Sequence, residues 1–504
     1  MGQGGKSVRL SRRLLLGALL GSVAQRAFAN PPQTSIRPPT RPSGSGQSSA
    51  RGVEDLIAEA DLGGKVGFMV ADARTGEVLE TRNPLLALPP ASVTKVITAL
   101  YALESLGPGH KFRTRLMATG PIRNGRLRGD LVLAGGGDPT LDTAALAGMA
   151  RDLKATGLRE ISGKFLIYSN VLPSIFSIDP EQPEHVGYNP AISGLNLNYN
   201  RVRFEWKRAA RGYDVTLDAR AGKYSPQVAI ARMSVVDRKV PVYTYADKGG
   251  VDQWTVARRA LGKAGSRWLP VRKPELYAAE VFQTLARSHG IVLPRAVFAK
   301  SRPQGSVLVE RVSPNLQDIL RDMMRYSTNL TAEVAGLTAA RADGNSARTL
   351  KASAAAMTVW AKAELGAGKA RFVDHSGLGD RSRMAASDMV RALVKARREG
   401  SLGAMLKTIP MRNSDGEVVK DHPIKLRAKT GTLYFVSALA GYMTGPDGRD
   451  LAFAIFSADM ARRSRIRKSD GDAPPGSKAW KTRSRRLQLQ LIERWGASYG
   501  GLSR

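Results

Sequence analysis

Apolar and polar positions along the chain sort it into recognisable elements. Val66-Gly67-Phe68-Met69-Val70 and Glu77-Val78-Leu79-Glu80 flank a turn at Ala73-Arg74-Thr75-Gly76, which predicts a β-hairpin. Pro89-Pro90 then opens an apolar stretch, and the spacing predicts a helix from about Ala91 to Leu106 that stops at Gly107. Strand patterns follow at Leu131-Val132-Leu133 and at Lys164-Phe165-Leu166-Ile167-Tyr168, within a region of short strands and turns that reaches to about 300. Helical periodicity returns over Pro314–Arg325 and Thr331–Arg341. Leu433–Met443 and Leu451–Ser457 surround Gly445-Pro446-Asp447-Gly448, a second hairpin, and a last helix aligns Leu487, Leu491 and Trp495 on one face. Strands at both ends, helices between them and a β-rich middle predict an α+β domain interrupted by an insertion.

The N-terminus follows a different pattern. Lys6, Arg9, Arg12 and Arg13 precede an apolar run from Leu14 to Ala24, with small residues at Ala27-Phe28-Ala29. The run is too short to span a bilayer and suits a signal peptide over 1–29, cleaved after Ala29, so an exported, periplasmic protein is expected. Ser11-Arg12-Arg13-Leu14-Leu15 resembles a twin-arginine signal. Residues 30–51, rich in Pro, Ser, Gly and Gln, read as a flexible linker.

Composition narrows the chemistry. The 504 residues carry a net charge of +34, contain no cysteine and include only five histidines. Disulfides, thiolate catalysis and Cys-ligated zinc are excluded, and no two histidines lie close enough for a helix-borne H-E-x-x-H. Mean hydropathy of −0.23 excludes a polytopic membrane protein. The basic charge would suit nucleic acid. Export and the lack of any zinc-finger, RNP or basic-zipper pattern argue against that partner and favour an anionic wall or membrane surface.

The remaining chemistry runs on hydroxyls and amines. Ser92-Val93-Thr94-Lys95 places a hydroxyl and an amine one helical turn apart, the geometry in which a desolvated neutral lysine can activate a serine. Ser327-Thr328-Asn329 lies between two helical segments, where a polar turn can present a hydroxyl and an amide to a cleft. Lys429-Thr430-Gly431-Thr432 is expected to open the apolar strand continuing through Leu433-Tyr434-Phe435-Val436. There a cation and two hydroxyls can hold a carboxylate and Gly431 admits a substrate backbone. Each motif alone is weak. S-x-x-K usually marks a solvated helix face, S-x-N recurs at Ser313-Pro314-Asn315 as a helix cap, and K-T-G is a common turn into a strand. In this order and context, the three together are the set of serine β-lactamases and penicillin-binding proteins.

The distance between Ser92 and Ser327 leaves room for an inserted domain that a β-lactamase lacks. The chain thus resembles the D-alanyl-D-alanine carboxypeptidase/endopeptidase family of low-molecular-mass penicillin-binding proteins over about residues 52–498. Gly135-Gly136-Gly137-Asp138-Pro139-Thr140-Leu141, Tyr188-Asn189-Pro190-Ala191-Ile192-Ser193 and Asp374-His375-Ser376-Gly377-Leu378 add to the resemblance. Thr328 stands where many relatives carry Asp, and His375 where a small residue is expected. The resemblance implies a transpeptidase-like domain built from 52–112 and 305–498, an antiparallel sheet flanked by helices, with 113–304 inserted as one or two small β-rich subdomains. It implies peptidoglycan stem peptides and cross-links as substrates, β-lactams as covalent inhibitors, and no metal or organic cofactor. Ser92 would be the nucleophile, Lys95 its base, Ser327 a proton relay and Asn329 the group that positions Lys95. Lys429, Thr430, Gly431 and Thr432 would bind the substrate's carboxylate end. Burial and the charge of Lys429 are expected to depress the pKa of Lys95.

Other readings fit less well. A β-lactamase or esterase would use the same triplet, and a catalytically idle wall-anchored scaffold would have no need of Ser92 and Lys95. A Ser-His-Asp hydrolase lacks its G-x-S-x-G elbow, and Asp374-His375-Ser376 are sequence neighbours that read as a turn.

Overall fold

The computed structural model describes residues 52–501 apart from 414–415 and 467–473. The expected signal peptide (1–29) and linker (30–51) lie outside the described residues. A six-stranded antiparallel sheet organises the first and last parts of the chain. Its order is Lys407–Thr408, Lys425–Leu433, Val436–Thr444, Asp450–Ala458, Lys65–Asp72 and Val78–Arg82. Both predicted hairpins are present, and strand Lys65–Asp72 pairs with Asp450–Ala458, which joins the two ends of the chain.

Both faces of the sheet's middle are covered, so strands Lys65–Asp72, Val436–Thr444 and Asp450–Ala458 are buried at nearly every position. Phe68, Leu439, Phe453 and Ile455 face a core shared with helices Val53–Ala60 and Ser477–Tyr499. Trp495 of the last helix packs against Phe68 at 5.5 Å and Phe453 at 5.9 Å between ring centres, and Leu487, Leu491 and Trp495 are all fully buried. Burying a side chain of this size contributes about 1.5–3 kcal/mol. The opposite face carries Ala438, Ala440, Ala452 and Ala454. Small side chains there let helix Ala386–Arg398 lie close against the strands.

Helix Thr94–Leu106 is buried on nearly every side, beside helix Asn329–Ala342. That explains why its sequence is apolar all round instead of amphipathic. Its predicted start differs. Ala91–Val93 forms a 3₁₀ turn, and the α-helix begins at Thr94 and ends, as expected, at Gly107.

The middle of the chain holds its own core, centred on Phe165, Phe204, Trp254, Tyr277 and Phe282. Its described residues contain a five-stranded mixed sheet and three three-stranded sheets, together with helices Thr143–Ala155 and Pro274–Ser288. Strand Ser306–Val312 pairs antiparallel with Arg113–Ala118. The ladder that closes the insertion therefore extends to Val312, past the boundary expected at 304. Gly136 explains one glycine of the Gly135-Gly136-Gly137 turn, since a Cβ there would lie 2.1 Å from the Arg113 carbonyl oxygen. No helix among the described residues is long and apolar enough to cross a membrane.

Candidate active site

Ser92 sits in the 3₁₀ turn that leads into helix Thr94–Leu106, directly after Ala91, whose φ of 46° is left-handed. A non-glycine residue in that region costs about 1–2 kcal/mol, the kind of strain that collects at functional sites. The turn leaves Ser92 half-exposed while Lys95, one turn further, is fully buried.

The Lys95 Nζ has three neighbours: the Ser92 hydroxyl at 3.0 Å, Asn329 Oδ1 at 2.7 Å and the Ser376 carbonyl oxygen at 2.7 Å. The last two can only accept. In the neutral amine they take both N–H bonds, which aims the nitrogen lone pair at the proton of Ser92. Burial pulls the pKa of Lys95 down to about 8, against the opposing charges of Glu333 and Asp374. A base at that value is roughly one-tenth neutral at pH 7, far more than an ordinary lysine near 10.4.

Ser327 ends helix Leu316–Tyr326 in a left-handed conformation (φ 57°), and Thr328 caps the start of helix Asn329–Ala342. The S-x-N motif is thus a tight corner between two helices. It points Asn329 at Lys95 and brings the Ser327 Oγ to 2.9 Å from the Lys429 Nζ, which donates to it. Lys429 also donates to the Thr430 carbonyl at 2.8 Å.

The strand carrying Lys429 differs from the expected one. Lys429-Thr430-Gly431-Thr432 lies in the second half of strand Lys425–Leu433, and the chain reverses at Tyr434-Phe435 before Val436–Thr444 begins. Phe435 takes φ 58° at that reversal. The reversal itself is apolar, Leu433-Tyr434-Phe435-Val436, and carries none of the Gly, Pro, Asn or Asp that mark a turn in a sequence. The neighbouring strand Lys407–Thr408 pairs only as far as Ala428, so the edge from Thr430 onward faces the cleft. Gly431 is required there. A Cβ would sit 2.6 Å from the Pro90 carbonyl oxygen and 3.0 Å from the Ser92 nitrogen.

All eight residues singled out from the sequence therefore meet around one cleft. One lobe, about 500 Å³, is lined by Ser92, Tyr188, Asn329, Thr432 and Leu433 among others. A second, about 370 Å³, adjoins Ser327, Lys429, Thr430 and Thr432. Burial depresses Lys429 well below the ordinary lysine value, and the nearby Lys95 and Lys407 charges add to this. The repulsion expected on Lys95 thus falls on Lys429, while burial alone lowers Lys95.

Sequence reasoning missed what stands behind Lys95. Glu333, fully buried, accepts the backbone N–H of His375 and of Ser376, both at 2.9 Å, and so holds the loop whose carbonyl meets Lys95. Asp374 accepts the N–H groups of Gly377 and Gly379 at 2.7 and 2.6 Å. Burial raises the pKa of both carboxyls, and these N–H bonds oppose the rise. A signal existed: Glu333 follows Asn329 by four residues, on the same helix face, as the lone acid in an apolar helix. His375 is buried and held neutral, its pKa near 3, with Nε2 at 2.9 Å from Ser353 Oγ. Gly336 makes room for this unexpectedly large side chain, since a Cβ there would lie 2.1 Å from its Nδ1.

A half-exposed serine against a buried lysine, a second serine hydroxyl against a second lysine and an open strand edge thus share one cleft, the arrangement expected of a penicillin-recognising serine hydrolase. Residues 49–472 match the D-Ala-D-Ala carboxypeptidase 3 (S13) family, and the chain belongs to that family. It is 30% identical over 450 residues to a D-alanyl-D-alanine carboxypeptidase of Actinomadura sp. (strain R39), covering 80% of each chain. It is 25% identical over 430 residues to the D-alanyl-D-alanine carboxypeptidase DacB of Haemophilus influenzae, covering 80% of this chain and 87% of that one. The crystal structure of penicillin binding protein 4 (dacB) from Haemophilus influenzae superposes with a TM-score of 0.68 at 22% identity. That match spans 87% of this chain and 99% of the other. The same protein has also been solved with a β-lactam bound.

Proposed function

We propose that this chain is a serine-type D-Ala-D-Ala carboxypeptidase and endopeptidase that cleaves peptidoglycan stem peptides and cross-links through an acyl-enzyme on Ser92. Ser92 attacks the carbonyl of the penultimate D-Ala while its proton passes to Lys95. The backbone N–H groups of Ser92 and Thr432 receive the oxyanion, a contribution commonly worth about 3–4 kcal/mol per donor. Ser327, next to Lys429, returns a proton to the leaving amine. Lys429, Thr430 and Thr432 bind the carboxylate of the leaving residue, and water then hydrolyses the ester. β-Lactams enter the same path because their ring carbonyl mimics the scissile amide.

The observation that carries this reading is the trio around Lys95, whose two carbonyl partners leave only the lone pair for Ser92. Fluorescent penicillin should label the protein at one position, and peptide mapping should find the adduct on Ser92. A label on Ser327, or one that survives Ser92→Ala, overturns the assignment. A stable adduct separates this protein from a β-lactamase.

Export to the periplasm and contact with anionic wall or membrane material complete the proposal. Ten Lys or Arg stand against two Asp between Arg462 and Arg486. Binding by many screened contacts weakens steeply with salt. Sedimentation with isolated sacculi should therefore show retention at low salt that is lost above physiological strength.

A further inference from the structure

The inserted domain reaches Asn329 through a backbone carbonyl. Asn329 has two polar atoms and uses both: Oδ1 accepts from Lys95, and Nδ2 donates to the Tyr188 carbonyl at 2.8 Å. Only this orientation satisfies both partners. A flipped amide would set Nδ2 against the Lys95 nitrogen and Oδ1 against a carbonyl. Tyr188 therefore decides which end of Asn329 meets Lys95, and it belongs to the insertion.

The segment that delivers Tyr188, residues 176–189, contains no helix or strand, yet it is fixed from below. Arg272, 6% exposed, donates to the carbonyls of Phe176 (3.0 Å), Asn189 (2.8 Å) and Glu184 (2.6 Å). Its guanidinium also lies 4.9 Å from the Phe176 ring centre. Its backbone N–H is held by Asp252, a buried residue of strand Val251–Ala257 that also accepts from Tyr245 and Lys273. Asn189 closes the loop by accepting from the Asp179 N–H and donating to the Asp179 carbonyl, at 2.9 and 2.8 Å. One buried side chain thus gathers three carbonyls from along a loop that has no ladder of its own. Such an arrangement fixes position more than it adds stability.

We infer that the insertion is a working part of the active site: Arg272 pins loop 176–189 so that the Tyr188 carbonyl orients the Asn329 amide toward Lys95. This rests on the reading of Lys95 as the base of Ser92. Arg272 touches no reacting atom and is a positioning residue. Carbonyl acceptors stabilise the protonated form of an amine, so an Asn329 amide released to rotate withdraws one of the two from Lys95. The other charged groups around Lys95, namely Glu333, Asp374 and Lys429, stay in place. Loss of the pin should therefore slow Ser92 acylation and move its pH midpoint downward.

The test measures the rate of acylation by fluorescent penicillin from pH 5.5 to 9.5, in the full-length protein, for wild type and four variants. Arg272→Ala removes all three loop contacts, Arg272→Lys keeps a cation that can reach some of them, and Asn189→Ala opens the loop without touching the buried arginine. Lys273→Ala weakens the same network at Asp247 and Asp252 but leaves the loop contacts intact. Arg272→Ala and Asn189→Ala should acylate about 10- to 100-fold more slowly, the cost of misplacing a catalytic group by about an ångström. Both midpoints should move to lower pH, with partial recovery in Arg272→Lys and a wild-type profile in Lys273→Ala. If folded Arg272→Ala or Asn189→Ala keeps the wild-type rate and midpoint, the inference fails. It fails equally if Lys273→Ala shifts the midpoint as much, because loss of stability would then explain the effect. Should wild-type Ser92 itself not acylate, the proposed function falls first, and the two failures are told apart.

Discussion

The two walls of the cleft each present a buried lysine and a serine hydroxyl, yet they are built to opposite ends. On the helix wall, burial pulls Lys95 down to about 8, while the two carbonyl oxygens it meets and the two carboxyls behind it pull the other way. On the strand wall, Lys429 meets the Ser327 hydroxyl and the Thr430 carbonyl, and neither Glu333 nor Asp374 figures among the charges that act on it. Burial lowers both. What differs is the second layer: two carboxyls stand behind Lys95, the proposed base, whereas the charges acting on Lys429 are the cations Lys95 and Lys407, beside an edge proposed to take an incoming carboxylate.

The sharpest way to break this comparison is to remove each lysine in turn. Lys95→Ala should slow acylation by about a thousandfold for every acyl donor, within the range of general-base contributions. Stopped-flow labelling with penicillin and turnover of a depsipeptide should both report it. Lys429→Ala should instead discriminate among donors. A substrate ending in a free carboxylate should lose about 10- to 100-fold in kcat/KM, the cost of one hydrogen bond to a charged group, while its carboxamide analogue loses much less. Equal losses on both substrates would make Lys429 part of the proton path and erase the division between the walls.

How much of this was legible in the sequence follows the same division. Ser92, Lys95, Ser327, Asn329 and Lys429 to Thr432 could be found because each motif is short and its parts act across one turn or one strand. The hairpins were legible from their turns and the last helix from its Leu487, Leu491 and Trp495 face. Of the carboxyls behind Lys95, Asp374 is legible only as part of a turn and Glu333 not at all, because they come from a loop and a helix that only the fold brings together. The bend at Tyr434-Phe435 escaped because the turn residues are themselves apolar and aromatic and join an apolar strand without a Gly, Pro, Asn or Asp to mark the reversal. The strand at Ser306–Val312 was assigned outside the insertion because pairing with Arg113–Ala118 is a contact between residues far apart in sequence.

A smaller effect isolates the second layer itself. Ser92 acylation should rise with pH through one ionisation near 8, since the reacting form is neutral Lys95. Glu333→Gln removes the charge that ionised Glu333 carries and that favours the ammonium, so the midpoint should fall, while its Nε2 meets one of the two loop N–H groups that the carboxyl accepts. More enzyme is then active at pH 6.5, although each neutral Lys95 is a weaker base, and the plateau rate at high pH should decline. A midpoint that stays put or rises would mean that Glu333 holds the Ser376 loop without acting on Lys95 electrostatically.

The smallest effect is expected at Thr328, which stands between Ser327 and Asn329. It is half-exposed and occupies the N-cap position of helix Asn329–Ala342 with extended backbone angles, but its side chain makes no capping bond. Thr328→Asp should therefore supply a better cap and a negative charge at the positive end of the helix, together worth about 0.5–1 kcal/mol of stability. In a protein of this size that is about a one- or two-degree rise in Tm. The new carboxylate lies toward solvent, whereas Glu333 and Asp374 face Lys95 from the dry side, so screening should leave the acylation midpoint within about 0.3 unit of wild type. Calorimetry and the same pH-resolved labelling measure both quantities on one preparation. If Thr328→Asp raised the midpoint as far as Glu333→Gln lowered it, charge would reach Lys95 equally from the front and the back of its wall, and the buried carboxyls would lose their special place in tuning the base.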